Sequence, residues 1–533
     1  MASKKDPNSS SIAVVDFANR SSHETGKPSA LDRVKEPFKT FEDALKRAGN
    51  FGRYQIFTCC VIQYASIMWA GNYSFMSLAR IEPDWVCDDE GWNHTRHNAP
   101  NNGSTEFCFM IKNCTNLTTI NDQFTSLVEE WRLVCDLSNI PDLLVILYAC
   151  GRICGSICGG HIGDHLGRKK GFFSAQFFII VTSVMAIAAK GWKAFAVFQA
   201  FNGFFFGIIE VTSLTLMMEY TNSKYRLISN AVFQWCLGYM VLALIAFLTH
   251  NWRMYLVFVN LVSAPLLVGY LLFHESPRWL MVKGRLEEAA DVLTEIASER
   301  WNKRNVEIVG QDLEEIPRGR KRRPYTFFHL FSREFLLQSI LQLLAFLSYS
   351  FVNATYLFNI EVVPGGPIMH FFYFGVFRIW VPFLIVWLDF KVPAFGRKAL
   401  YSGFIRRSET LYGVCFGINI GLLAAGYDKH FWVIVVCTII SATVNSSAFY
   451  MAIVQITAVQ YPTVIRSIAF GTLNITDSVG AMLSTVIFGQ LGARWKPWPY
   501  VIPEALIVVT FVLAIFFQPE TKGKPLRDRY HGD

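Results

Sequence analysis

The sequence predicts an all-α membrane protein whose twelve transmembrane helices fall into two six-helix halves. Three observations carry that prediction. Of the 533 residues, 52% are hydrophobic and only 17% are charged, where a soluble domain carries roughly 25% charge. Long apolar stretches such as "FFSAQFFIIVTSVMAIAA" (172–189) and "ALIVVTFVLAIFF" (505–517) contain no charge at all. About twenty apolar residues cross a bilayer as a helix, and these runs lack the alternation of barrel strands, the other structure that satisfies its backbone in lipid. Third, the apolar segments come as six, then a polar loop, then six more, the arrangement of a duplicated transporter half.

In chain order, a polar segment 1–54, rich in Ser and Lys, has no apolar signal core, so the first span is expected to act as the targeting signal. The first half, 55–273, holds spans at 55–78, 139–161, 171–190, 194–217, 228–249 and 253–273. The loop 274–334 follows, then the second half, 335–518, with spans at 335–358, 367–388, 408–427, 431–458, 468–490 and 499–518, and a tail 519–533. Lys and Arg concentrate in the tail, the 162–170 turn, the 274–334 loop and the 389–407 loop. The 79–138 loop has only Arg80, Arg96, Lys112 and Arg132. The positive-inside rule therefore places both termini in the cytosol and the 79–138 loop outside. The net charge of +8 is a topology signal and does not point to nucleic acid. The basic run "GRKRRP" (319–324) suits contact with anionic inner-leaflet lipid.

The outer loop carries Cys87, Cys108, Cys114 and Cys135 and the glycosylation acceptors Asn93, Asn102, Asn113 and Asn116. Four cysteines in an oxidising compartment predict two disulfides, with three pairings open, and clustered acceptors predict an exposed glycosylated loop. Acceptors at Asn72, Asn353, Asn445 and Asn474 fall in or near spans. Cys150, Cys154 and Cys158 repeat every fourth residue beside Gly151, Gly155 and Gly159. That pattern reads as small residues letting helices approach, and no metal site is expected. No nucleotide loop, cofactor motif or catalytic His or Cys paired with a base is present, so an enzyme is not expected.

Between the second and third spans, "GGHIGDHLGRKK" (159–170) sets Gly160, Gly163, Asp164, Gly167, Arg168 and Lys169 at fixed spacing. The second half echoes it after span eight in "DFKVPAFGRK", with Asp389, Gly396, Arg397 and Lys398. The first stretch resembles the signature of the major facilitator superfamily, with His165 where an Arg is usual. "EYTNSKYR" (219–226), "ESPRWL" (275–280), "YPTVIR" (461–466) and "PETKG" (519–523) add to the resemblance. The long cysteine-bearing loop ending in "EEWRLVCD" (129–136), with "FEDALKRAGNFGRYQ" (41–55) before span one, resembles solute carrier family 22, the organic cation, anion and carnitine transporters. The resemblance runs from about residue 41 to 526. It implies the major facilitator fold, plasma-membrane transport of a small organic ion by alternating access, and a gate. In that gate Asp164 caps a neighbouring helix, Arg168 pairs with Glu219, and Glu275, Arg278 and Glu520 form a matching charged layer beside Arg226 and Arg466.

An ionisable group inside a span costs several kcal/mol unless paired or hydrated, which makes Arg152, Glu210, Arg378 and Asp477 the residues to follow. For each, a structural ion pair competes with substrate binding; for Glu210 the partner considered is Arg378. The resemblance places Glu210 where cation carriers keep a Trp, Trp380 where they place a Glu, and Ser478 at the charge-selecting position, with Asp477 its neighbour. The candidate substrate site is therefore Glu210, Trp380, Arg378, Asp477 and Ser478. Two cavity-level acids and many aromatic side chains favour organic cations. A carnitine-like zwitterion, an organic anion, or a non-transporting sensor on the same fold are the alternatives.

Overall fold

The computed structural model describes residues 32–33, 38–87, 96–97, 105–115, 117–120, 124–222, 225–232, 235–304, 306–316, 326–358, 366–392, 449–487 and 498–518. Between 414 and 440 it describes 414–415, 417–422, 433, 436–437 and 440, and residue 495 stands alone. The helices are α1 (Phe41–Gly49), α2 (Arg53–Ala79), α3 (Thr105–Asn113), α4 (Leu127–Trp131), α5 (Ile140–Leu166), α6 (Arg168–Ile187), α7 (Trp192–Tyr220), α8 (Arg226–Val232) and α9 (Cys236–Thr249). There follow α10 (Trp252–Ser263), α11 (Pro277–Val282), α12 (Leu286–Ala297), α13 (Leu336–Phe358), α14 (Gly366–Lys391), α15 (Tyr450–Gln460), α16 (Thr463–Val486) and α17 (Trp498–Phe517). Spans 408–427 and 431–458 are described only in part.

Among the described residues, seven helical segments are long and apolar enough to cross a membrane: Cys135–Leu166, Arg168–Ile187, Trp192–Tyr220, Trp252–Leu271, Leu336–Ala354, Ile368–Lys391 and Tyr500–Phe517. The long helices α2 and α16 fall short of that apolarity because they carry polar residues such as Gln55, Asn72, Asn474 and Asp477, all buried. Both helices contribute to the central cavity described below. The fifth predicted span is not one helix: α8 and α9 are separate. The sixth begins as α10 and tightens into a 3-10 helix from Ala264 to Leu271, with Pro265 in its first turn. Proline lacks the N–H that an α-helical interior needs, so the change of winding falls where the sequence offers no donor.

Glycines set the closest helix contact. A Cβ on Gly155 would lie 1.9 Å from the Phe204 carbonyl oxygen, and one on Gly203 would lie 2.1 Å from the Tyr148 oxygen. The α5 and α7 backbones therefore touch, as small-residue faces permit in membranes. Cys150 and Cys154 are exposed instead. In the Cys/Gly repeat, the glycines do the packing and these cysteines point away.

The 79–138 loop is a small folded unit. Strand β2 (Asp84–Cys87) lies between β3 (Arg96–His97) and β4 (Leu117–Ile120), antiparallel to both. Disulfides join Cys87 to Cys114 and Cys108 to Cys135, each across a separation of 27 residues. Glu130 seats the unit on α10, accepting from the Trp252 indole at 2.6 Å and pairing with Arg253 at 2.6 Å. Asn113 is exposed at the end of α3; Asn93, Asn102 and Asn116 lie outside the described residues. Closing loops of this length removes roughly 3 kcal/mol of unfolded-state entropy each. A maleimide should label none of the four cysteines on intact cells until a reductant is added, and labelling beforehand would contradict the pairing.

At the opposite, basic end, residues 32–33, 38–55, 274–304 and 306–316 form a cap. Strand β1 (Asp32–Arg33) pairs in parallel with β5 (Val306–Glu307), Phe38 N–H donates to Asp312 O at 2.9 Å, and Asn302 donates to Ala48 O at 3.0 Å. Within the cap, helix α12 buries Ala289, Ala290, Leu293 and Ile296. The expected polar leader 1–54 is thus in part a folded element.

Candidate functional site: a central cavity and its gate

Arg152 is the hub of the membrane interior. The Tyr148–Gly159 stretch of α5 lies flush on α7, so Arg152 cannot leave its neighbour and is only 2% exposed. Its Nη2 lies 2.7 Å from Glu210 Oε2 on α7, its Nε donates to the same oxygen at 3.1 Å, and its Nη1 lies 2.5 Å from Asp477 Oδ2 on α16. The planar guanidinium fork can hold two carboxylates at once where an ammonium would be a single point charge. Its carbon lies 5.2 Å and 5.5 Å from the ring centroids of Phe206 and Tyr73. Asp477 comes from the second half, so this triad spans the interface between halves. Glu210 therefore pairs with Arg152, and the Arg378 partner considered from sequence is not its ion pair.

A cavity opens beside the triad. It is lined by Arg152, Glu210, Asp477 and Arg378, and by an aromatic wall that includes Tyr73, Trp235, Tyr239, Tyr349 and Tyr450. The Arg378 guanidinium lies 4.5 Å from the Phe374 ring centroid and 5.6 Å from that of Tyr239. Burying such groups is tolerable only because charge and π-face compensate lost hydration. Two of the sequence candidates are not part of this wall. Trp380 is 52% exposed on α14, two residues from the buried Arg378 and so turned well away on a helix of 3.6 residues per turn. Ser478 is buried, but its hydroxyl donates to Asn474 O at 2.9 Å within α16. The aromatic residues that do line the cavity are not ionisable inside the membrane in any way a sequence flags. Their only trace is the 15% aromatic content.

The signature motif closes the basic end. Gly167 has φ +109, and a Cβ there would lie 2.2 Å from Glu275 Oε2. That close approach lets Glu275 Oε1 accept from the backbone N–H groups of Arg168 at 2.8 Å and Lys169 at 3.1 Å. Glu275 is thus the cap on the positive end of α6, a residue the sequence reading placed only in the charged layer. Burial pushes the Glu275 carboxyl above its ordinary value, and these N–H groups oppose that shift. Arg168 pairs with Glu219 at 3.2 Å as expected, and with Asp164 at 3.1 Å. Asp164 instead reaches the second half, accepting from the Ser467 hydroxyl at 3.2 Å. Gly160 lets α16 close in, its Cβ position 3.5 Å from Ile468 Cα.

The surrounding charged layer is only partly as expected. Lys169 lies over the Tyr270 ring at 4.2 Å, and Arg278 over Phe41 at 4.4 Å. Arg226 pairs with Glu42 at 3.3 Å, tying the gate to the cap. Arg466 donates to the Ala458 and Tyr461 carbonyls at the end of α15. Asp389 ends α14 half-buried, while Arg397 and Glu520 lie outside the described residues.

Two bundled halves, a buried charged cavity between them and the signature motif at one end define a major facilitator transporter, which is not an enzyme. The chain belongs to the sugar (and other) transporter family, whose model matches residues 102–529. It is similar to the organic cation transporter protein of Drosophila melanogaster, 27% identical over 417 residues, covering 75% of this chain and 72% of that one. It is also similar to solute carrier family 22 member 6 of Pseudopleuronectes americanus, 27% identical over 420 residues, covering 76% and 71%. Among solved structures, the E. coli proton:xylose symporter XylE superposes with a TM-score of 0.61 at 16% identity, covering 89% of this chain and 98% of XylE. That likeness concerns the fold.

Proposed function

We propose that this protein is a secondary transporter that carries small organic cations across the plasma membrane by alternating access, with both termini in the cytosol. The observation that carries the reading is the cavity's pair of buried carboxylates. Arg152 engages Glu210 through Oε2 and Asp477 through Oδ2, so Glu210 Oε1 and Asp477 Oδ1 stand outside the ion pairs. A cation leaving water must find carboxylates and aromatic faces, and this cavity has both. A bound cation would compete with Arg152 for Asp477, loosening a charged link between the halves. That couples occupancy to rocking, since a ligand shifts a conformational equilibrium only through differential affinity.

The test is uptake of radiolabelled tetraethylammonium, carnitine and a dicarboxylate in oocytes, with currents recorded. Glu210→Gln and Asp477→Asn should each reduce cation uptake at least tenfold, and inward current should accompany uptake in the wild type. Normal cation uptake in both variants, or preferential dicarboxylate uptake by the wild type, would overturn the assignment. A second reading, a zwitterion of the carnitine type, draws on Arg378, which lines the same cavity and balances the net negative triad. Under it, carnitine uptake should exceed that of tetraethylammonium and fall in Arg378→Gln.

A further inference from the structure

Glu504, on α17, belongs to neither the cavity nor the gate. It is the only charged residue in the apolar segment Tyr500–Phe517. On the helix it shares a face with Tyr500, four residues before it, and Ile507, three residues after. That face packs on Val352 of α13 and on Ile420 and Leu422. Near the start of α13, the Ser339 hydroxyl meets that of Tyr461, at the gate end, at 2.7 Å. Further along, Gln342 donates to Gln518 Oε1 at 3.5 Å, and the Ser348 and Thr510 hydroxyls meet at 2.8 Å. Helix α17 therefore runs antiparallel to α13, and Glu504 lies in its half away from the gate. It stands six residues past Trp498, about 9 Å along the axis.

Among the described residues, Glu504 Oε2 is buried without a hydrogen-bond partner, and no Lys or Arg is in ion-pair contact with the carboxyl. Neither α13 nor residues 417–422 carries an Asp, Glu, His, Lys or Arg; the titratable side chains on these elements are Tyr349 and Tyr356 of α13, with Tyr500 on α17 itself. A carboxylate inside a span costs several kcal/mol unless a counter-charge or water compensates it, and a carboxyl that carries a proton bears no charge to compensate. The helix adds a second reason. Pro503 has no N–H, so the Pro499 carbonyl one turn back lacks its usual α-helical donor. A neutral carboxyl can donate a hydrogen bond where a carboxylate only accepts. We infer that Glu504 is a proton-binding site, filled from the side of the bundle away from the gate, whose proton lets the second half pack. The step adds one proton from water to the carboxylate and breaks no other bond. Helix α13, against which Glu504 packs, also supplies Phe346, Tyr349 and Asn353 to the central cavity. Proton and substrate thus act on one helix.

The experiment is infrared difference spectroscopy of the purified full chain in nanodiscs, between about pH 5.5 and about pH 8.5. The wild type should show the carbonyl band of a neutral carboxyl at the acid end and lose it at the alkaline end. Glu504→Gln should lack that band and Glu504→Asp should shift it, so one variant serves if the other fails to fold. Identical bands in the wild type and both variants, or no such band in the wild type, would overturn the proposal. In oocytes, tetraethylammonium uptake by the wild type should rise as the medium is acidified, while Glu504→Gln should keep the acid rate at every pH. The same pH response in both would also overturn it. Absence of uptake by the wild type would instead sink the organic-cation reading, and the infrared bands would still decide the proton site.

Discussion

Replacing Arg152 with Gln should leave almost no folded protein. The substitution strips the counter-charge from Glu210 and Asp477, both under a tenth exposed and both bonded to that one guanidinium. Removing one partner of a buried ion pair costs about 3–5 kcal/mol, because the charge left behind is neither hydrated nor matched, and here two charges are left. The expected readout is collapse of the monodisperse peak in fluorescence-detected size-exclusion chromatography and a large fall in melting temperature in detergent. Neutralising all three groups, in Arg152→Met with Glu210→Gln and Asp477→Asn, should recover folded protein without recovering transport. Arg378→Gln should be far milder, since Arg378 stacks on Phe374 and holds no part of the triad. An Arg152→Gln protein that melts like the wild type would mean that the triad is not a unit.

The second large effect is expected at Gly155. A leucine there must put its Cβ where only 1.9 Å separates it from a backbone oxygen of α7. No side-chain rotation relieves that, so the two helices must part. Parting them also pulls Arg152 from Glu210, which makes one substitution both a packing and an electrostatic lesion. Surface expression of Gly155→Leu should be lost, and Gly155→Ala should be reduced strongly. Gly191 supplies the control: a Cβ there meets nothing within 4 Å, and its place at the N-cap of α7 suits serine. Gly191→Ser should express normally. Equal expression of Gly155→Leu and Gly191→Ser would show that the α5–α7 contact can open without harm.

The sequence made some of this architecture readable, and the reasons differ by element. Charge-free apolar runs are strong signals because lipid forbids unsatisfied backbone, so the spans at α6 and α17 stand out at once. The Arg168–Glu219 pair was readable because a fixed motif surrounds it. The partner of Glu210 was not. Arg152 and Arg378 are both buried basic residues in spans, and choosing between them needs the α5–α7 approach that glycines permit. Helical phase decided against Trp380 and Ser478: transferring a position by alignment fixes residue number, but one or two residues of rotation move a side chain to the other face of a helix. The folded cap escaped notice because its pieces, Phe38 and Asp312 among them, are remote in sequence and individually unremarkable. The part Glu275 plays was hidden for a related reason, since it reaches the start of α6 from more than a hundred residues away.

That cap has a consequence for how the chain is made. Strand β1 finds its partner in β5, and α1 receives the Asn302 amide on its Ala48 carbonyl. A ribosome must therefore release more than three hundred residues before β1 and α1 can settle. Throughout that interval the first six spans are threading into the membrane with their earliest segment unfastened. Once residue 312 emerges, the beginning of the half is tied to its end, and the tie includes Arg226 through Glu42. The first half is thus completed as a closed loop of chain while the second is still being synthesised. A stop codon placed just before β5 should accordingly yield inserted spans with an exposed, protease-sensitive N-terminal segment, and one placed beyond residue 316 should protect it.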